Sequence, residues 1–247
     1  MAFAERALAN PPIKEAIFAI SFKEPIPLNE LESFCTSDFI KNKFPIQEKN
    51  LALKISRNKD GGNVHSPKEN YLLKCNDSCN KSIQINSTQV SYHNFNRYAG
   101  WEEMLDELKS IWAVISLIAK GLSVSNLSVR YINELQFPIR EGEKLSEYIN
   151  LLPQLPESFK KRPINDFFLQ VKIPDQEHGL QGIVTETILP SSTQTKVQFL
   201  LDLQVIKRNM QSTDNEIWDS FLSIRNFKNE LFFNCITEKG QNLYNHV

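Results

Sequence analysis

Apolar and polar positions alternate along IKEAIFAISF (Ile13 to Phe22), with Ala16, Phe18, Ile20 and Phe22 on one parity, and this period of two predicts a strand that Pro25 and Pro27 bring to an end. The period then lengthens. Leu28, Leu31, Phe34 and Phe39 recur at helical spacing before Pro45, with Lys41 and Lys43 near the C-terminal end, where the helix dipole favours cations. Four short apolar runs follow and read as strands: LALKIS from Leu51, NYLLKC from Asn70, SIQINS from Ser82 and QVSYHNFN from Gln89. DGGN (Asp60 to Asn63) and CNDSCN (Cys75 to Asn80) between them supply turn residues, so an antiparallel meander is the simplest arrangement. Trp101, Met104, Leu105, Leu108, Ile111, Trp112, Ile115 and Ile118 keep helical spacing up to a stop at Lys120 and Gly121.

The same succession recurs downstream. LSVRYINELQF (Leu127 to Phe137) reads as a strand, and Leu145, Tyr148, Ile149 and Leu152 as a short helix. FFLQVKI from Phe167, IVTETIL from Ile183 and VQFLLDLQVI from Val197 are the next strands. A last helix opens on a capping box of Thr213 and Glu216 and turns Ile217, Trp218, Phe221, Leu222 and Ile224 inward. Each half thus reads strand, helix, run of antiparallel strands, helix. The expected fold is α+β, a duplicated unit over residues 1–122 and 123–247 packed as one compact protein, in a saddle like that of TATA-binding folds or a helix-grip arrangement. Gly121 to Ser125 is the expected boundary, and PQLPESFKKRP (Pro153 to Pro163) a proline-marked loop.

Composition narrows the class without naming an activity. Across 247 residues the apolar fraction is 41% and the charged fraction 23%, which excludes disordered and fibrous chains. Lys and Arg total 28 against 29 acidic residues, so no global positive charge marks a nucleic-acid coat or a membrane-surface protein. The N-terminal MAFAERALANPP lacks the pattern of a secretory signal, and Ile111 to Ala119 is too short to span a bilayer, so a cytoplasmic location away from membranes is expected. Cys35, Cys75, Cys79 and Cys235 show no disulfide-scaffold spacing, and free thiols are expected.

NPPIKEAIF (Asn10 to Phe18), VRYINEL (Val129 to Leu135) and RNFKNELFFNCITE (Arg225 to Glu238), with YAGWEEMLDELKSIW (Tyr98 to Trp112) between them, resemble in order the signature blocks of an uncharacterised bacterial protein family distributed sporadically among genomes. The resemblance spans nearly the whole chain. It implies a bacterial accessory locus of the kind that serves phage defence, immunity or toxin and antitoxin pairs, and it brings no catalytic residues.

Few residues stand out chemically. RYINE puts Arg130, Ile132 and Glu134 on one strand face and Tyr131 and Asn133 on the other, so charge enters an otherwise apolar strand. Glu15 interrupts the first strand in the same way. Glu15, Arg130, Asn133 and Glu134 are therefore the candidate groove or ion pair, with Glu15 the first expected partner of Arg130 and Glu134 the second; a plain structural salt bridge is the blander reading. Glu186 and Asp202 are distinguished only by lying in apparent strands. Lys160, Lys161 and Arg162 could meet phosphate, as could Lys41, Lys43, Lys54, Arg57 and Lys59, although such clusters are usually solvated surface. The run Leu231, Phe232 and Phe233 is more often core than docking site.

His65, Cys75, Cys79 and His93 lack the paired short spacings of zinc sites, and GLQG (Gly179 to Gly182) lacks the lysine of a phosphate loop, so neither metal nor cofactor is expected. The leading expectation is a non-catalytic interaction or regulatory protein with a protein partner or a second copy of itself. The alternatives are nucleic-acid binding on a curved sheet, and a small-ligand binder or enzyme with a pocket between sheet and helix.

Overall fold

The computed structural model describes residues 6–57, 63–75, 80–139, 143–159, 166–190, 196–210 and 214–245, with side chains described throughout except at 51–57, 63–68 and 214. Among the described residues nine strands make one antiparallel sheet: β1 (Ile13–Phe22), β2 (Ile46–Arg57), β3 (Asn63–Lys74), β4 (Lys81–Asn86), β5 (Gln89–Phe95), β6 (Val124–Phe137), β7 (Phe168–Asp175), β8 (Leu180–Leu189) and β9 (Val197–Arg208). Their order is β2-β3-β4-β5-β1-β6-β9-β8-β7, so the expected α+β class is what the chain adopts. Among the described residues five α-helices accompany them: α1 (Leu28–Cys35), α2 (Asp38–Lys43), α3 (Trp101–Ile118), α4 (Asp214–Cys235) and α5 (Glu238–Asn242). Among the described residues no helix is long and apolar enough to cross a membrane.

The chain divides into two compact units, one comprising Met1–Ala16, Ser128–Arg208 and Asp214–Val247 (unit 1), the other Ile17–Leu127 and Asn209–Thr213 (unit 2). Of the four crossings between units, two fall inside strands, within β1 and within β6, one at the end of β9 and one at the start of α4.

In unit 2, α3 turns Trp101, Met104, Leu108, Ile111, Trp112 and Ile115 into the core. The Trp101 ring centre lies 4.7 Å from that of Phe18 and the Trp112 centre 6.5 Å from that of Phe22, so the helical and strand periods read from the sequence meet face to face. The single helix expected before Pro45 is two. It breaks at Thr36 and Ser37, whose hydroxyls donate back to the carbonyls of Glu32 and Phe34, at 2.9 and 2.8 Å, and so compete with continuation of the helix. Lys43 at the end of α2 reaches the Glu107 carboxylate on α3 at 3.0 Å.

In unit 1 the short helix expected around Leu145 shrinks to one 3₁₀ turn, Leu145–Glu147, with a second turn at Glu157–Phe159. Pro153 and Pro156 lie between them and cannot supply the N–H groups a continuing helix needs. The last helix runs much further than its opening periodicity, through Phe227, Leu231 and Phe232 to Cys235, all of them buried. Leu231, Phe232 and Phe233 thus belong to the core. Leu222, expected to face inward, is 55% exposed, because it sits off the stripe formed by Ile217, Phe221 and Ile224. Thr213 of the expected capping box lies outside the described residues.

Of the cysteines, Cys35 and Cys235 are buried free thiols, whereas Cys75 is disulfide-bonded, which corrects the expectation of free thiols there.

α4 lies on β8 and β9 so closely that Gly182 has no room for a side chain: a Cβ there would stand 2.5 Å from Leu231 Cδ1 and 3.1 Å from Phe227 Cε1. Gly182→Ala should therefore cost about 1–3 kcal/mol in urea unfolding by overpacking. The double variant Gly182→Ala/Leu231→Ala should lose less than the sum of its singles, because removing the Leu231 side chain vacates the space the new methyl needs.

Candidate functional site

β6 is two-faced. Leu127, Val129, Tyr131, Asn133, Leu135 and Phe137 are buried, while Ser128, Arg130, Ile132 and Glu134 between them are partly exposed. The alternation expected of RYINE is thus present. The bidentate partner of Arg130 is Asp202 on β9, in place of the expected Glu15 or Glu134: Nε donates to the two carboxylate oxygens at 2.9 and 3.1 Å, and an Nη nitrogen donates at 2.5 Å. β6 and β9 are neighbours in the sheet, a fact of topology that local pattern does not contain. Hydrogen bonding to the Asp202 carboxylate holds the guanidinium above its ordinary range, and the charge of Glu15 adds to the effect. Glu134 pairs instead with Lys14 at 3.4 Å.

Asp202 continues a polar row. Thr185 on β8 is its direct cross-strand neighbour, and the Gln170 side chain on β7 donates to the Thr185 hydroxyl at 3.0 Å. Register puts Lys172 on this same face. Asn133 looks the other way, 1% exposed, its amide donating to the carbonyls of Tyr131 and Leu201 at 3.2 and 3.0 Å. The structure therefore brings Arg130 to Asp202 and within the field of Glu15, and it separates Asn133 from them.

The opposite face, under α4, holds the most perturbed groups of unit 1. Register places Glu186 directly between Leu169 on β7 and Leu201 on β9. It is 0% exposed, and among the described residues neither carboxyl oxygen has a hydrogen-bond partner. Burial pushes its pKa up to about 8, with the Cys235 thiol of α4 pulling the other way. Cys235 acts on the carboxyl at close range without an aligned hydrogen bond, and its own thiol is pushed far up by burial and by Glu186. One helical stretch earlier, the half-buried Lys228 sets its amine 4.3 Å from the ring centre of Tyr131. Burial lowers it to about 7, and the like charge of Arg225 contributes. Sequence reading marked Glu186 only as a carboxylate in a strand. Its signal was parity, since Leu201 sits opposite it and the next in-facing positions of β8 are Val184 and Gly182.

Unit 2 has a smaller polar cluster. On β5 the Ser91 hydroxyl lies 2.9 Å from His93 Nε2, and Ser82, directly across from His93 on β4, is buried with no hydrogen-bond partner among the described residues. On the alternate positions of β5, Tyr92 Oη and the Asn94 amide are likewise buried without partners, and burial raises the Tyr92 phenol. Among the described residues no group of three His, Cys, Asp or Glu side chains could hold a metal. Of the four cysteines and histidines considered for zinc, the His65 side chain and Cys79 lie outside the described residues, as do Lys160, Lys161 and Arg162. No protein-family model and no curated protein matches the chain.

The Arg130 and Asp202 pair is half-open, with side-chain exposures of 43% and 13%. Arg130→Ala should therefore cost about 1–3 kcal/mol, mostly the penalty of leaving the better buried carboxylate alone. In chemical denaturation Arg130→Ala and Asp202→Asn should be strongly non-additive, whereas Arg130→Ala and Glu134→Gln should add.

Proposed function

We propose that this chain is a non-catalytic interaction or regulatory protein, and that the face of unit 1 carrying Arg130, Asp202, Thr185 and Gln170 receives a protein partner. The observation that carries the reading is the bidentate pair: a guanidinium locked by Asp202 yet 43% exposed is a pre-oriented donor set for a partner's carboxylate or carbonyl groups. Exposed Phe168, 71% accessible and in register with Thr187 on this face, supplies an apolar anchor beside it. The charges gathered around this face, Arg130, Lys172 and Lys14 against Glu134, Asp202 and Glu15, balance, which suits a protein surface better than a phosphate backbone.

The sporadic bacterial family resembled by the chain adds the setting of an accessory locus, whether phage defence, immunity or an antitoxin-like role, in the cytoplasm. Duplication of a strand-helix-sheet-helix unit is part of the same reading. Its support is the strand order: outward from β1 run β5, β4, β3 and the additional β2, and outward from β6 run β9, β8 and β7. The architecture proposed for it is a TATA-binding-like saddle or a helix-grip arrangement. The perturbed groups Glu186 and Lys228 favour a second reading, a small-ligand binder or enzyme working between sheet and α4.

Co-expression with the products of its neighbouring genes tests the first reading. A complex should form with the wild-type chain and be lost in Arg130→Glu, while the melting temperature of that variant drops by only a few degrees. A complex that survives the charge reversal would place the interface elsewhere. A generic DNA duplex should bind no tighter than about 1 µM at physiological salt; tight, salt-resistant binding would instead favour the nucleic-acid reading.

A further inference from the structure

A buried carboxyl group without a hydrogen-bond partner demands an explanation, since native cores rarely leave one. Among the described residues Glu186 is such a group, with only the weakly polar Cys235 thiol near it, in the layer where α4 meets β8 and β9. The contact is tight, as Gly182 against Leu231 and Phe227 shows, and Cys235 faces the carboxyl from the end of the helix. We infer that Glu186 is a proton-dependent latch for α4: while its carboxyl is neutral the helix stays docked, and ionisation releases the segment from Phe227 to Cys235 from β8, baring the apolar sheet face around Leu201, Leu203 and Asn133.

The groups facing Glu186 decide the direction. Across the sheet stand Leu169 and Leu201, neither of which can accept or donate charge. From α4 comes Cys235, a weak donor whose own ionisation is suppressed, so it offers no positive charge. Further along α4 are Arg225 and Lys228, and from β6 Tyr131 lies beneath Lys228. Lys228, lowered to about 7, has largely lost its proton by the pH at which Glu186, raised to about 8, ionises. Burying an anion there costs several kcal/mol unless it is paired. Moving the helix end re-admits water to the carboxyl while the sheet ladders stay intact, at the cost of the bonds that Asn150 makes to the Asn234 and Cys235 carbonyls.

The thermodynamic sign follows from the folded value lying above that of the unfolded chain. The native state holds the Glu186 proton that the unfolded state releases, so its contribution to stability is undiminished below the unfolded value, falls between roughly pH 4.5 and about 8, and is constant above that.

Hydrogen exchange read by mass spectrometry, corrected for the intrinsic pH dependence of exchange, tests the latch on the full-length chain. Between about pH 6.5 and 9, protection of residues 227–235 should fall about tenfold or more relative to α3, which serves as the internal reference. Glu186→Gln and Glu186→Met should hold that protection constant, and the methionine variant, apolar and of similar volume, keeps the test available if glutamine disturbs folding. Unchanged α4 protection in the wild type, an equal fall in both variants, or a loss shared uniformly by α3 would each overturn the inference.

Discussion

The close approach of α4 to β8 constrains everything else in unit 1. A helix that presents Phe227 and Leu231 to a strand position without a side chain settles deeper than ordinary packing allows. That depth buries Val184, Leu201, Leu203 and Val205 completely or nearly so, and it carries Glu186 into the same dry layer. The depth that completes the core therefore strands a carboxyl within it. A shallower helix would spare the acid but leave voids beside the leucines, each costing of the order of 1 kcal/mol or more.

β6 solves a different problem, that of serving a core on one face and carrying charge on the other. Its buried positions supply Val129, Tyr131, Leu135 and Phe137, and its alternate positions supply Arg130 and Glu134. Each of those charges finds a partner on a neighbouring strand, Asp202 or Lys14. A half-exposed guanidinium fixed by two parallel hydrogen bonds keeps its orientation at modest entropic cost, which is why such pairs suit recognition as well as stability.

Unpartnered polar groups recur in unit 2, where Tyr92 and Asn94 alternate along β5 with the hydrogen-bonded Ser91 and His93. A buried phenol or amide can take an internal water without changing charge state, whereas a carboxyl can also adjust by holding its proton. Chemistry, rather than burial alone, therefore sets Glu186 apart.

By itself the sequence determined the local elements: the alternation in β1, β6 and β9, the apolar stripe of α3, and the two faces of RYINE all follow from periods of two and of 3.6, which depend only on backbone geometry. It mistook two helices, parted at Thr36 and Ser37 where side-chain hydroxyls compete with the backbone, for one, and it placed Leu222 inward although the inward stripe continues through Phe227 and Leu231 instead. Tertiary structure decided who meets whom. Arg130 found Asp202, 72 residues away, because β9 rather than another strand adjoins β6, and strand order is not encoded in any local period. The isolation of Glu186 was settled in the same way: its strand position was legible, but only the packing of α4 on Gly182 removed the water that would have let it ionise.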